Sequence, residues 1–200
     1  MKKFLVLAFC ASVCFANNQV FCNNANDCYN IGIAKAKEMQ VAESVKYLEK
    51  SCELNYMPAC MELGTAYIYN AKSKEEFTKG INYYMLACNN NEPISCHNIA
   101  YMLEQSQNPA LMNEIKSYYE KSCNLRYLNA CTNLGNIYYT KENNKERAKM
   151  LYEKACNLGE AIACNNLGSL YYDTNKSLAK EYVRKACDLG YQVACEYKID

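Results

Sequence analysis

Tyr152-Glu153-Lys154-Ala155-Cys156-Asn157-Leu158-Gly159 runs directly into Glu160-Ala161-Ile162-Ala163-Cys164-Asn165-Asn166-Leu167-Gly168-Ser169-Leu170-Tyr171, and this stretch decides the fold. Cys164, Leu167, Gly168 and Tyr171 stand at i, i+3, i+4 and i+7, one face of a helix. Upstream, Ala148, Leu151, Tyr152 and Ala155 form the same stripe on a second helix. Cys156 and Cys164 lie eight residues apart between them. In one straight helix that spacing separates two cysteines by about 12 Å, whereas a disulfide needs Cα atoms about 4.4–6.8 Å apart. A bridge therefore requires the chain to reverse at Asn157-Leu158-Gly159, where glycine suits a left-handed helix cap.

The motif recurs along the chain. Cys52 and Cys60, Cys88 and Cys96, Cys123 and Cys131, and Cys187 and Cys195 share the eight-residue spacing, with Cys22 and Cys28 as a shorter sixth pair. The second members recur at steps of 32, 36, 35, 33 and 31 residues, a period that marks a repeat array. Ala59-Cys60-Met61-Glu62-Leu63-Gly64 and Ala130-Cys131-Thr132-Asn133-Leu134-Gly135 copy the segment around Cys164. Asp27-Cys28-Tyr29-Asn30-Ile31-Gly32 and Ser95-Cys96-His97-Asn98-Ile99-Ala100 are looser copies. The fold expected is all-α, an array of antiparallel helical hairpins in which helix A carries the second cysteine of each pair and helix B ends at the first. One disulfide pins each junction. Gly32, Gly64, Ala100, Gly135 and Gly168 make a column of small residues, a sign of close approach by helix B. The expected division is residues 17–26 as an N-terminal segment, repeats at about 27–57, 58–92, 93–127, 128–160 and 161–190, and a short cap at 191–200.

Lys2 and Lys3 precede an apolar run from Phe4 to Ala16, followed by Asn17, Asn18 and Gln19. That is the pattern of a signal peptide, with cleavage expected after Ala16. The run is too short for a bilayer-spanning helix, which needs about 20 apolar residues. Cleavage removes Cys10 and Cys14 and leaves the six pairs, a disulfide framework suited to a periplasmic or secreted protein. With 14 cysteines and 1 histidine in 200 residues, and no mature cysteines two to four residues apart, no metal or other cofactor is expected. Lys+Arg 22 against Asp+Glu 21 offers no electrostatic footprint for nucleic acid.

The Asn-Leu-Gly-x-x-Tyr core of helix A, followed in the array by Tyr-Glu-Lys-Ala-Cys at 152–156, resembles the Sel-like repeat, a relative of the tetratricopeptide repeat. With a cysteine pair at each junction and a leader, residues 22–200 resemble the secreted Helicobacter cysteine-rich proteins. The resemblance implies a right-handed superhelix whose A helices line a concave groove. It also carries a description of members as penicillin-binding proteins and weak β-lactamases. The residues give that activity little support. A serine β-lactamase of the main class needs Ser-x-x-Lys with Ser-Asp-Asn and Lys-Thr-Gly, and only Ser177-Leu178-Ala179-Lys180 matches, as chance alone would supply. Ser177 is expected to cap the last helix B, with Lys180 on its solvent face. Departures from the pattern are Lys35, where later copies carry Tyr or Leu, and the abrupt end at Cys195-Glu196-Tyr197-Lys198-Ile199-Asp200.

Two positions after each helix A cysteine stand Asn30, Glu62, Asn98, Asn133 and Asn166. Asparagine is a mediocre helix former whose amide competes with the backbone, so a mid-helix column of it requires compensation. In the resembled class this position faces the groove and hydrogen-bonds a bound chain; the alternative is a bond to the adjacent repeat. Together with His97, Tyr101, Thr132, Asn136, Asn165 and Ser169, the column marks the expected groove. The ligand expected is an extended peptide, a protein tail or a peptidoglycan-derived fragment, with β-lactams as the alternative that the resemblance brings.

Overall fold

Each apolar stripe becomes one helix, and the hairpins follow in chain order. The computed structural model describes residues 20–197; the leader lies outside them. Helices α1 (Ala25–Lys37), α3 (Met57–Tyr69), α5 (Pro93–Gln105), α7 (Leu128–Thr140) and α9 (Ala161–Tyr171) are the A helices. The B helices are α2 (Val41–Glu53), α4 (Lys74–Asn89), α6 (Met112–Asn124), α8 (Lys145–Asn157) and α10 (Lys176–Asp188). A short α11 (Gln192–Glu196) closes the array, and a 3₁₀ turn at Pro109–Leu111 leads into α6. All regular structure among the described residues is helical.

Every helix packs chiefly on its neighbours in the chain, A on B within a hairpin and B on the next A across a junction. That local pattern is the signature of a solenoid, in which stability comes from each unit and its nearest neighbours. The buried layer is built from the expected stripes: Leu63, Ile115, Tyr119, Leu134, Tyr152 and Leu167 are almost fully removed from solvent. The small column lies where helix B crosses helix A. A side chain at Gly64 would meet the Tyr84 ring, and one at Gly135 the Tyr152 ring.

The structure holds all six expected bridges, Cys22–Cys28, Cys52–Cys60, Cys88–Cys96, Cys123–Cys131, Cys156–Cys164 and Cys187–Cys195. In the five pairs eight apart, the third residue after the first cysteine takes positive φ: Asn55, Asn91, Arg126, Gly159 and Gly190. The reversal is thus one left-handed residue repeated five times. Gly159 and Gly190 adopt it freely, whereas Arg126 at φ 71 carries a side chain that disfavours it.

One local expectation is corrected. Ser177 does not cap α10: the cap is Asn175, whose side-chain oxygen accepts the Leu178 amide at 3.1 Å. Asn144 does the same for α8, accepting from Arg147 N, and Asn24 for α1, accepting from Asp27 N. Asparagine and serine have similar cap strength, and here the residue one step before Lys176 takes the place. Ser177 and Lys180 are both exposed on α10.

Candidate functional site

Side chains from α3, α5, α7 and α9 meet along one face. At its centre is His97 on α5. Its Nδ1 lies 3.2 Å from Asn98 Oδ1, and its Nε2 lies 3.1 Å from Asn133 Nδ2 on α7. An Nδ1–H tautomer satisfies both contacts, donating to Asn98 and accepting from Asn133. Rings of Tyr101, Tyr119 and Tyr127 surround the imidazole at centroid distances of 6.4, 5.5 and 5.0 Å. Further along, Asn136 Oδ1 accepts from Tyr152 Oη at 2.7 Å and from Asn166 Nδ2 at 3.0 Å. Thr132 donates to Glu160, the side chain that caps α9, at 2.8 Å. Asn165 and Ser169 sit beside these on α9, where Ser169 Oγ donates to the Asn165 carbonyl. Asn30 stands exposed on α1, apart from the cluster.

The polar column has a partner that helical periodicity does not show. The Tyr84 hydroxyl meets Thr65 at 2.8 Å and the Asn98 amide. Tyr119 donates to Glu104 at 2.8 Å and meets Asn133. Tyr152 meets Asn136 and Asn166. Each asparagine therefore answers the tyrosine fourteen residues before it, on the preceding helix B. The correspondence extends to the exceptions: Leu48 is followed fourteen residues later by Glu62, and Val183 by Tyr197. Where helix B presents no hydroxyl, helix A presents no asparagine. Burial, with a smaller push from the neighbouring Tyr139, brings the Tyr152 phenol up to about 12, and burial moves Tyr84 and Tyr119 upward as well. These hydroxyls stay protonated and act as neutral hydrogen-bonding struts. The column thus makes the inter-repeat bonds named above as the alternative, and its asparagines remain half-buried at the surface of α5, α7 and α9.

Between α3 and α5 the face opens into a cleft of about 420 Å³, lined by Thr65, Tyr69, Phe77, Asn98, Tyr101 and Gln105 among others. Tyr69 is 81% exposed and Tyr101 50%, so two aromatic rings are presented rather than packed away. Glu62 lies on the same face of α3. Burial raises its carboxyl above the usual range, and the nearby Glu92 raises it further. From α3 to α9, the positions one, two, five and nine after each helix A cysteine carry no lysine or arginine. The face is aromatic, amide-rich and mildly acidic.

Burial holds the His97 imidazole below its ordinary value, against a smaller upward pull from Asn98 and then Glu104. The unfolded chain then binds the proton more readily, so this contribution to stability is complete above about pH 6.5 and declines as pH falls below it. The melting temperature is expected to drop between pH 7.5 and 5.5. His97→Gln, which keeps hydrogen-bonding groups without a titrating ring, is expected to flatten that slope. An unchanged slope in the variant would assign the effect to other groups.

Ser177 and Lys180 join none of this. Lys180 borders a separate cleft with Val183, Arg184, Cys187, Ala194 and Tyr197, on helix B rather than the A-helix face. Among the described residues, no group of three or more His, Cys, Asp or Glu side chains could hold a metal ion. No helix there is long and apolar enough to cross a membrane.

No protein-family model and no curated protein matches the sequence. Solved structures do. A Sel1 repeat protein from Oxalobacter formigenes superposes with a TM-score of 0.74 at 19% identity, over 86% of this chain and 76% of that one. YrrB, described as a tetratricopeptide repeat protein with an unusual peptide-binding site, gives a TM-score of 0.51 at 18% identity, over 86% and 90%. Helicobacter pylori cysteine rich protein B is 31% identical, over 62% of this chain and 96% of that one, with a TM-score of 0.47. The helical hairpins, their recurring Asn-Leu-Gly core and their superposition on the Oxalobacter structure lead to one assignment: the chain is a Sel1-like repeat protein, with a cysteine pair at each hairpin junction.

Proposed function

We propose that this chain is an exported member of the cysteine-rich Sel1-like proteins and that its A-helix face binds an extended peptide segment of a partner, neutral or basic in character. Export is supported by the six disulfides, which persist in oxidising compartments. The observation that carries the binding reading is the cleft between α3 and α5, with exposed Tyr69 and Tyr101 beside Asn98. Aromatic rings supply contact area at small conformational cost, and an amide both donates to and accepts from a peptide backbone. The scarcity of cations on the face, with Glu62 beside it, favours basic over acidic segments. YrrB, which shares the fold, is described with a peptide-binding site, and that likeness supports the reading.

The test is selection of peptides from a random library by the oxidised protein, followed by affinity measurements on variants. Tyr69→Ala with Tyr101→Ala is expected to weaken binding by at least about tenfold while changing stability little, since both rings are exposed. Asn98→Ala with Asn133→Ala is expected to abolish binding and to lower stability by less than roughly 2 kcal/mol: Tyr84 and Tyr119 each retain a second partner, and His97, which loses both amides, is only half-buried and exchanges them for water. Peptide affinity untouched by both pairs of changes would refute the reading. So would hydrolysis of a chromogenic β-lactam that Ser177→Ala abolishes.

A further inference from the structure

A second cleft lies between α6 and α8 against α7, on the side of α7 away from the proposed peptide-binding face. Five residues before the first cysteine of each eight-residue pair stand Tyr47, Tyr83, Tyr118, Leu151 and Tyr182. Seven residues after the helix A cysteine stand Lys35, Tyr67, Leu103, Tyr138 and Tyr171. Where both positions are tyrosine the rings stack: Tyr67 on Tyr83 at 5.7 Å and 18°, Tyr171 on Tyr182 at 5.8 Å and 8°. In the fourth hairpin Tyr138 has Leu151 opposite it, and the second ring is missing.

What stands there instead is a cleft of about 540 Å³, lined by Glu120, Leu134, Tyr138, Arg147, Leu151 and Lys154 among others. Its walls correspond position by position to the surroundings of the Tyr83 ring. Tyr83 stacks on Tyr67 and donates its hydroxyl to Glu49 at 3.4 Å, while Lys79 bonds Tyr67 Oη at 2.7 Å. In the fourth hairpin Glu120 holds the place of Glu49, Tyr138 that of Tyr67, and Arg147 that of Lys79. The likeness reaches the contacts as well: Arg147 Nη1 donates to Tyr138 Oη at 3.2 Å, and its guanidinium lies 5.2 Å from the ring centroid. One surface of the stack and its carboxylate acceptor are present, while the residue that would supply the phenol is a leucine.

We propose that this cleft receives a tyrosine side chain from a partner polypeptide. The incoming ring stacks on Tyr138 as Tyr83 stacks on Tyr67, and its hydroxyl donates to Glu120 as Tyr83 donates to Glu49. Offset aromatic stacking rewards a ring over an aliphatic group of similar bulk, and the hydroxyl bond to the exposed Glu120 carboxylate favours tyrosine over phenylalanine by a modest margin. Because Leu134 and Tyr138 face α6 and α8, on the side of α7 opposite Thr132, Asn133 and Asn136, the site does not compete with a segment on the peptide-binding face.

The probe is N-acetyl-L-tyrosinamide, titrated into the oxidised protein and followed by resonance shifts of Leu134, Tyr138 and Leu151. Saturable shifts at these residues are expected, with affinity several-fold better than for N-acetyl-L-phenylalaninamide. Leu151→Tyr supplies the ring from within, as the sibling hairpins do, and is expected to weaken probe binding by at least about tenfold. Glu120→Ala, an exposed position that leaves the packing alone, is expected to remove the preference for tyrosine over phenylalanine. Shifts absent from these residues up to the solubility limit would overturn the proposal, as would affinity equal in the wild type and both variants. Either result leaves the peptide reading standing, because its variants lie on the opposite face of the A helices.

Discussion

Reduction of the oxidised protein at 37 °C is expected to collapse its helical circular dichroism. Each bridge between cysteines eight apart closes a short loop, and in the chain-entropy model such a closure contributes roughly 2–3 kcal/mol. An array with helices of only 11 to 16 residues in its hairpins has little else to hold a junction closed. Isolated helices of that length are marginal in water, and a solenoid unit cannot bury its apolar face without its neighbours. The bridges also act where the backbone is least content. At the third junction Arg126 occupies a left-handed conformation, and Cys123–Cys131 spans it. Loss of the bonds therefore releases every junction at once. The check is far-ultraviolet circular dichroism with and without reductant, scanned in temperature. A reduced protein with unchanged ellipticity and melting temperature would show that the bridges add nothing to the fold.

Gly64→Leu is expected to be the most damaging single substitution in the A helices, costing several kcal/mol. Helix propensity alone argues the reverse, since leucine is favoured over glycine by up to roughly 1 kcal/mol in a helix interior. Packing decides the sign. A Cβ at position 64 would stand 2.4 Å from Tyr84 Cδ1 and 2.7 Å from its Cε1, on a ring that is 3% exposed and has no space to withdraw. Overpacking of this kind typically costs 1–3 kcal/mol for small additions, and the rest of the leucine side chain adds to it. Even Gly64→Ala is expected to destabilise, which separates the steric account from a propensity account. Gly159→Ala is the control. It meets nothing within 4 Å but sits at φ +96, so its cost is backbone strain of about 1–2 kcal/mol. Denaturant midpoints of the three variants give the order. A stabilised Gly64→Ala would contradict the close helix approach.

The hairpin array was legible because cysteine spacing is a geometric constraint that composition cannot blur. Eight residues are too far apart in one helix and suitably placed across a turn, so Cys156 and Cys164 located the reversal before any helix was assigned. The small column was legible for a similar reason, since a recurrent glycine in a helix has to be compensated. The partner of the asparagine column was not. Asn133 and Tyr119 are separated by a helix end, a left-handed residue and a helix start, and no 3.6-residue rule spans that path. The signal lay in the fourteen-residue pairing itself, with Leu48 and Val183 as its informative exceptions. The Ser177 cap failed because Asn175, two residues earlier, is an equally good cap and the helix starts sooner than the apolar stripe. The Leu151 cleft was hidden because leucine suits a helix B stripe; only the stacked rings of the sibling hairpins show what is missing.

The proposed peptide site is the face built by α3, α5, α7 and α9. Its most direct test is backbone amide shift mapping of the oxidised protein against a library-selected peptide. Perturbations are expected to run through Thr65, Tyr101, Asn136 and Ser169, with α4, α6 and α8 unmoved on their outer sides. Perturbations confined to the outer sides of the B helices, or to the surroundings of Ser177 and Lys180 on α10, would contradict it.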